Sequence, residues 1–397
     1  MEKFRIPDAV RTVIDRLEGA GFEAYLVGGC VRDVLRGTVP HDFDVTTSAL
    51  PEEMQRVFFD FRTVETGLRH GTLTVLVDGE PIEVTTYRVD GDYTDSRRPD
   101  SVTFTASLTE DLARRDLTVN AMAYSPTRGF ADPFGGREDL TAHRLRAVGD
   151  PVTRFTEDAL RILRVLRFAA TLDFEIEPKT AAAVFQMAPT VRLVAAERIR
   201  EEIFRLVLGK GAIRVLTEYR DALSEVLPEA TPTEALAALP ATVPIRLAAL
   251  LYPAGAEVAE AALLRLRTDR ATLEKTVALC RLAVAEISAD RASLCRLLRR
   301  EGENTVRDAL VLRASLGKND SAAACGVNAI LAEGIPYRLS DLAVGGKDLV
   351  AIGVLPGPRL GEILETLYGE VIEGSLENAK QSLLFRASEI HRGGIRL

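Results

Sequence analysis

The possible folds of this chain are limited most by a change of pattern after about the first 150 residues. Before that point, residues 24–27 and 43–47 are short runs typical of strands. Residues 72–77 and 82–87 flank the turn at residues 78–80 (Asp-Gly-Glu), which predicts a β-hairpin. These segments predict a small sheet in the N-terminal part of the chain.

Helical periodicity dominates the remainder. From residue 156 onward, strand signals disappear, and apolar residues recur three and four positions apart among Leu, Ala, Arg and Glu. The predicted helices are one at the N-terminus and residues 31–36, 51–58, 156–172, 178–187 and 195–208, and the first three of them would cover one face of the N-terminal sheet. The predicted fold class is therefore an α/β N-terminal head followed by all-α domains, with a Pro/Ala/Thr-rich break at residues 228–244.

The composition is that of a folded protein without a membrane segment. The chain has 397 residues, too many for one ordinary core, and 47% are hydrophobic and 27% charged. No window approaches the roughly 18 uncharged apolar residues of a membrane span, and the N-terminus is amphipathic rather than a signal peptide. The four cysteines include no CxxC pair, which fits a reducing compartment. We therefore expect a cytoplasmic protein with no membrane association.

Two glycines and two aspartates form the strongest candidate site. Gly28 and Gly29 follow a predicted strand and precede a helix that carries Arg32, so backbone amides could approach phosphates there. Asp42 and Asp44 are one residue apart on the next predicted strand, where alternation would place both carboxylates on one face. Such a pair needs a cation, and Mg²⁺ prefers oxygen ligands. An isolated pair is more often a solvated turn, but its combination with the glycines and the arginine favours nucleotide transfer from a triphosphate.

The net charge of −8 disfavours general binding to nucleic acid, because phosphates attract a basic surface. Only seven of the 50 basic residues are lysines, so arginine supplies nearly all of the positive charge. Arginine makes bidentate contacts with phosphates and base edges, so a locally basic groove is compatible with an acidic protein. Codon bias towards arginine is the alternative explanation, and composition does not decide between the two.

Five ordered motifs resemble the class II tRNA nucleotidyltransferases, the CCA-adding enzymes, within the nucleotidyltransferase superfamily of DNA polymerase β type. The resemblance covers nearly the whole chain, and the segments that match family motifs A to E are, in order, residues 26–44, 114–121, 132–136, 157–168 and 198–206. It implies a polymerase β-like head with helical neck, body and tail domains. The implied boundaries are residues 1–140 (catalytic head), 141–208 (neck, nucleotide selection), 209–320 (body) and 321–397 (tail, tRNA binding).

The resemblance also implies roles for single residues. Asp42 and Asp44 would be catalytic and would bind Mg²⁺, the expected cofactor. The implied nucleotide-binding residues are Gly29, Arg32, Arg115, Asp158, Arg161, Arg164 and Arg167. From the sequence itself, Asn120 is a further candidate to bind sugar or phosphate, and Glu83 could be a third carboxylate near the metal.

Asp158 and Arg161 carry the predicted choice of nucleotide. They are three positions apart on a predicted helix and would share one face, which Arg164 and Arg167 extend. A carboxylate accepts from the amino group that cytosine and adenine share, and a guanidinium donates to ring acceptors, so the pair could exclude G and U. In the resembled family such a pair serves as a protein template. Without the surrounding motifs, a salt-bridged helix face would be the simpler explanation.

The expected reaction is template-independent addition of CCA to the 3′ end of tRNA from CTP and ATP, with release of pyrophosphate. The loop at residues 90–98 keeps its acidic and basic residues, which in the family favours full CCA addition. Residues 342–349 and the helix at residues 362–374 resemble the tail that engages the tRNA elbow. The expected partners are tRNA, through its acceptor end and elbow, CTP and ATP, with no obligate protein partner evident. The alternatives left open are a CC-adding or A-adding enzyme, a poly(A) polymerase and a non-catalytic tRNA-binding protein.

Overall fold

The computed structural model describes residues 4–90 and 102–393. The chain forms two compact units, Met1–Pro228 and Glu229–Leu397. Among the described residues, the first unit contains all the strands, and the second consists of helices and their connections. The predicted fold class, an α/β head followed by helical domains, is confirmed. The finer division at residues 140, 208 and 320 stays a prediction.

Short strands in the first unit form one seven-stranded sheet and two small pairs. The described strands are β1 (Ala24–Val27), β2 (Asp44–Thr47), β3 (Arg62–Val64), β4 (Thr72–Val77), β5 (Glu80–Thr86), β6 (Arg88–Asp90), β7 (Val102–Phe104), β8 (Ala123–Ser125), β9 (Gly129–Ala131), β10 (Arg144–Leu145) and β11 (Glu175–Ile176). The order in the large sheet is β3-β4-β5-β2-β1-β8-β9. Strands β2 and β5 run parallel, and their register places Asp44 directly beside Glu83.

The turn between β4 and β5 follows from two residues. Asp78 and Gly79 both have positive φ, +52° and +87°, and Val77 pairs with Glu80 across the hairpin. A two-residue turn with both φ values positive matches the right-handed twist of the strands, and Asp-Gly is a preferred sequence for it. The predicted turn was therefore one residue too long, because Glu80 already belongs to β5.

In the first unit, helices lie between the strands of the large sheet in sequence, and further helices follow its last strand. The α-helices of the first unit are α1 (Asp8–Gly19), α2 (Gly29–Leu35), α3 (Pro51–Val57), α4 (Leu108–Ala113), α5 (Gly136–Thr141), α6 (Pro151–Glu157), α7 (Leu160–Leu172), α8 (Pro178–Met187), α9 (Ala196–Val207), α10 (Ala212–Glu218) and α11 (Arg220–Leu223). Helix α1 buries Val13, Ile14 and Leu17 completely, and it packs against β1, β4 and β5. This apolar stripe fixes one face of the sheet.

The helix predicted over residues 156–172 is in fact two helices. Helix α6 ends at Glu157, Asp158 has extended backbone, and α7 begins at Leu160. The Asp158 carboxylate accepts a hydrogen bond from the backbone N–H of Leu160 at 3.0 Å, so it satisfies one of the amides that a helix start leaves without a partner. Asp158 therefore lies at the start of a helix and does not share a helical face with Arg161, as the spacing had suggested.

The second unit is built from further helices, and the proline-rich residues 228–244 contain the first of them. Its α-helices are α12 (Ala235–Ala238), α13 (Val243–Leu251), α14 (Ala256–Arg265), α15 (Arg270–Val284), α16 (Arg291–Glu301), α17 (Glu303–Ser315), α18 (Ser321–Ala332), α19 (Gly346–Ala351), α20 (Pro358–Glu373) and α21 (Lys380–Arg392). Short 3₁₀ helices in the two units are Leu68–His70, Thr118–Asn120, Ala188–Leu193, Tyr252–Ala254 and Leu339–Asp341. None of the helices in the described ranges has both the length and the apolar character to span a membrane.

Candidate active site

The turn between β1 and α2 brings backbone close to a guanidinium. Gly28 has φ +81°, which favours glycine, and a Cβ at this position would lie 3.2 Å from Nη1 of Arg115. Gly29 starts α2, and Arg32 follows one turn later. The missing side chain at Gly28 therefore lets Arg115 lie against the start of α2.

Two carboxylates, those of Asp42 and Glu83, act on a third, that of Asp44, near the start of β2. The strand starts at Asp44, so Asp42 precedes it and strand alternation does not relate the two residues. Reduced hydration, followed by the charges of Asp42 and Glu83, raises the pKa of Asp44 from 3.8 to about 6, although its side chain still reaches solvent. The charge of Arg115 opposes this shift without cancelling it. The cluster therefore has an excess of negative charge that a bound cation would relieve.

The carboxylates near β2 fit a Mg²⁺ site whose remaining ligands are water and substrate phosphates. In the part of the chain that the structure describes, no three or more His, Cys, Asp or Glu side chains are arranged as a metal cage. Mg²⁺ is commonly held by one or two carboxylates together with water and substrate phosphates rather than by an all-protein cage. Asp42 and Asp44 match that type of site.

A buried polar network connects α2 to α7. Arg32 donates through Nη1 to Oδ1 of Asn120 at 2.7 Å, and Asn120 donates through Nδ2 to Asp116 at 3.1 Å. Asp116 also accepts from Nε of Arg164 at 2.8 Å. Burial alone would raise the pKa of Asp116, but Arg164 and the hydrogen bonds outweigh it and hold the pKa well below its usual range. Asn120, expected to bind sugar or phosphate, thus engages both ends of its amide within the protein.

The ring of Phe168 on α7 contacts one arginine from α2 and two from α7 itself. The guanidinium carbons of Arg32, Arg164 and Arg167 lie 5.1, 5.6 and 3.6 Å from its ring centroid. Arg167 also donates to Glu202 on α9 at 2.8 Å. Cation–π contacts and the ion pair restrict these side chains. Sequence reasoning missed Phe168 because an aromatic residue in an amphipathic helix looks like a core residue.

Arg115 has hydrogen-bonding capacity left over. It donates through Nη2 to Asp111 at 3.4 Å, while its buried Nε has no acceptor among the described residues. Burial lowers the pKa of Arg115, and the carboxylates of Asp111 and Asp44 oppose that effect. A buried N–H group without a partner is rare in native structures and suggests a missing acceptor. A phosphate oxygen would suit a guanidinium in this position.

Asp158 and Arg161 each have an ion-pair partner of their own. Arg198 on α9 donates to Asp158 at 2.9 Å. Arg161 donates to the Glu157 carboxylate, and to the backbone oxygen of Arg114 at 3.0 Å. A carboxylate has about four acceptor sites and a guanidinium five donors, so both groups keep capacity for a base. The structure thus fixes both side chains by contacts that the sequence spacing did not predict.

The structure describes only part of the predicted loop at residues 90–98, and the predicted tRNA-binding residues 342–349 lie in the second unit. Of the predicted loop at residues 90–98, Asp90 ends β6, and residues 91–98 lie outside the described residues. The tail-like residues 342–349 lie in the second unit and include the start of α19, where Lys380 forms an ion pair with Asp348 at 2.6 Å. The proposed role of this region stays a prediction.

Comparisons with known proteins identify the family of the chain. Residues 24–146 match the Poly A polymerase head domain, residues 173–232 an RNA and SrmB-binding site of polymerase A, and residues 246–387 tRNA nucleotidyltransferase domain 2. The CCA-adding enzyme of Limosilactobacillus fermentum is 40% identical over 397 residues, 96% of this chain and 97% of the relative. The CCA-adding enzyme of Enterococcus faecalis is 38% identical over 94% of this chain and 93% of its own length.

A solved structure agrees over the whole length. The crystal structure of Bacillus stearothermophilus CCA-adding enzyme in complex with CTP matches with a TM-score of 0.82 and 30% identity, covering 99% of both chains. Full-length identity at this level, together with the shared fold, places the chain among these proteins. The chain belongs to the family of CCA-adding enzymes, which are tRNA nucleotidyltransferases.

Proposed function

We propose that this chain adds C, C and A to the 3′ end of tRNA from CTP and ATP, without a nucleic-acid template. The observation that carries the proposal is the cluster of Asp42, Asp44 and Glu83 beside Arg115 at the Gly28 turn. It combines an excess of negative charge suited to a cation with a guanidinium suited to a triphosphate. The names of the full-length relatives support the same activity.

Enzymes of this family are metal-dependent. In this chain, we assign the metal to Asp42 and Asp44 and identify it as Mg²⁺, which suits carboxylate and phosphate oxygens. When bound, such an ion orients the triphosphate and stabilises the charge that develops during attack on the α-phosphate. Activity is expected to vanish in EDTA and to return when Mg²⁺ is added in excess, as measured by extension of a tRNA transcript. Full activity in EDTA would contradict this assignment.

The chain's own arginines would position the nucleotide. Arg115, whose Nε finds no acceptor in the described part of the chain, and Arg32, near the start of α2, are assigned to the triphosphate, together with the backbone of Gly29. The 3′ hydroxyl of tRNA gives up its proton to solvent as its oxygen forms a bond to the α-phosphorus, the bond from that phosphorus to the bridging oxygen breaks, and pyrophosphate leaves. Because Arg32 is held by Asn120 and Phe168, its geometry exists before substrate binds.

Selection of C and A is assigned to Asp158 and Arg161. Arg198 and Glu157 hold the two side chains, so that the bases would meet groups of fixed orientation. Arg164 and Arg167, restrained by Phe168, would continue the row of arginines along α7 beyond Arg161 and add to nucleotide binding. The second unit would bind the elbow of tRNA by backbone and shape. We assign the activity to the cytoplasm, where tRNA and nucleoside triphosphates occur.

Gly28→Ala is expected to raise the KM for CTP about tenfold, because the added Cβ would displace the Arg115 guanidinium. The backbone of Gly28 (φ +81°, ψ −132°) would be strained by a side chain, which should lower the free energy of unfolding by roughly 1–3 kcal/mol. Gly37→Ala is the matched control, since Gly37 has φ +72° but no atom within 4 Å of an added Cβ. Urea unfolding and steady-state kinetics of both variants would separate strain from contact. Equal KM values for Gly28→Ala and Gly37→Ala would contradict a role for the close approach of Arg115 to Gly28.

Stability of the metal-free protein is expected to depend on the ionisation of Asp44. Its pKa is about 6 in the folded state and near 3.8 in the unfolded chain, so the folded state binds the proton more tightly. This stabilising contribution is present below about pH 4 and is lost as the pH rises through about 6. In EDTA, the free energy of unfolding of the wild type should therefore fall relative to that of Asp44→Asn between those two values. Parallel pH profiles of the two proteins in urea unfolding would show that the pKa of Asp44 is not raised in the folded state.

A further inference from the structure

One fully buried carboxylate near the proposed site has no part in the mechanism above. Asp111, on α4, is completely inaccessible to solvent. Its Oδ1 accepts from Nε and Nη2 of Arg114 at 3.0 and 2.8 Å, and from the backbone N–H of Arg88 at 3.3 Å. Its Oδ2 accepts from Nη2 of Arg115 at 3.4 Å and lies 3.3 Å from the hydroxyl of Thr46. The carboxylate therefore contacts groups from β2, β6 and the segment after α4.

Two of these contacts connect Asp111 to residues of the proposed active site or next to it. Thr46 lies on β2, two residues after Asp44, and Arg115 lies against Gly28. Burial would raise the pKa of Asp111, but the two arginines and the hydrogen bonds outweigh it and lower the pKa, so the group stays charged. A buried charge is costly unless it is paired and hydrogen-bonded. Here the pairing joins the strand that carries Asp44 to the guanidinium assigned to the triphosphate.

We propose that Asp111 is a positioning residue that holds Arg115 at the start of α2, where its guanidinium can bind the triphosphate. The proposal deepens the function proposed above and rests on it. Within residues 4–90 and 102–393, Arg115 makes one long ion pair, with Asp111, and its Nε is left without an acceptor. Asp111 therefore restrains one end of the guanidinium and leaves the other end for substrate. It does not touch the reacting atoms, since it is wholly enclosed by protein.

Asp111→Asn is the direct test, because asparagine has nearly the same shape and keeps one oxygen acceptor. The KM for both CTP and ATP is expected to rise about tenfold, with kcat within about threefold of wild type, since binding in the ground state and the transition state weakens equally. Asp139→Asn is the matched control. Asp139 is also fully buried and binds two arginines, Arg144 and Arg146, together with Thr118, and none of these three partners is assigned to the triphosphate. The control is expected to lose stability without the rise in KM.

A double-mutant cycle separates positioning from general destabilisation. In an Arg115→Ala background, Asp111→Asn is expected to change KM by less than about twofold, because the residue through which it acts is gone. A further tenfold rise in that background, or an unchanged KM in the single variant, would overturn the proposal. If Asp111→Asn does not fold by circular dichroism, Asp111→Ser replaces it, and failure of both to fold would also overturn the proposal. Failure of wild-type protein to extend tRNA would instead reject the proposed function.

Discussion

Asp44→Asn is expected to lower the rate of CMP addition to tRNA by about 10³-fold or more, with the fold unchanged. The substitution keeps the shape of the side chain and removes the charge that the cluster with Asp42 and Glu83 presents to a cation. Asp42→Ala is expected to have a comparable effect. Single-turnover extension at saturating CTP, with circular dichroism to verify folding, measures the loss at the chemical step.

The control for this experiment lies on the neighbouring strand. Glu80 is an exposed glutamate on β5, the strand that carries Glu83, and it begins the strand at the hairpin. Glu80→Gln should extend tRNA at the wild-type rate. Asp44→Asn at a rate within tenfold of this control would mean that the pair is a solvated strand end and not the metal site. Glu83→Gln reports separately on whether the third carboxylate takes part.

Arg161→Ala and Asp158→Ala are expected to reduce discrimination against GTP and UTP by about 10- to 100-fold in kcat/KM, more than they weaken triphosphate binding. Each removes a group assigned to the base edge, and neither is assigned to the phosphates. Incorporation of each of the four nucleotides into a transcript that lacks CCA gives the ratios. Unchanged ratios would defeat the assignment of nucleotide selection to this pair.

Two further variants separate base selection from other effects of these substitutions. Asp158→Asn keeps an oxygen that can bond the N–H of Leu160, so it separates base selection from the helix start. Its amide can also donate, which would admit the oxygen that G and U carry at the corresponding position. Lys179→Ala, which removes an exposed cation on α8, is the control for a general loss of positive charge and should leave the nucleotide ratios unchanged.

Local sequence predicted several elements of the first unit. Strand β1 at residues 24–27, β4 at residues 72–77 and helix α8 at residues 178–187 agree with the predicted bounds. In each case a short-range pattern, such as alternation or helical spacing, agrees with the tertiary environment. The break at Asp158 was missed because helical periodicity continues on both sides of it, and the extended residue between the helices leaves no mark in the apolar pattern.

Long-range partners could not be predicted from spacing. Glu83 lies beside Asp44 only because β2 and β5 run parallel, and Arg198 reaches Asp158 only because α9 packs against α7. Asp111 did leave a local signal, since Arg114 and Arg115 follow it at helical spacings of three and four. That signal shows a pairing but not complete burial, which depends on strands distant in sequence.

The most direct test of the central claim uses three tRNA transcripts, ending before CCA, after C and after CC, with CTP and ATP supplied separately and together. The proposed function predicts that CTP alone extends the first two transcripts to CC and stops. ATP alone should add one nucleotide only to the third, and both together should complete CCA on all three. A product that stops at CC with both nucleotides present, a long run of A, or no extension at all would contradict the account.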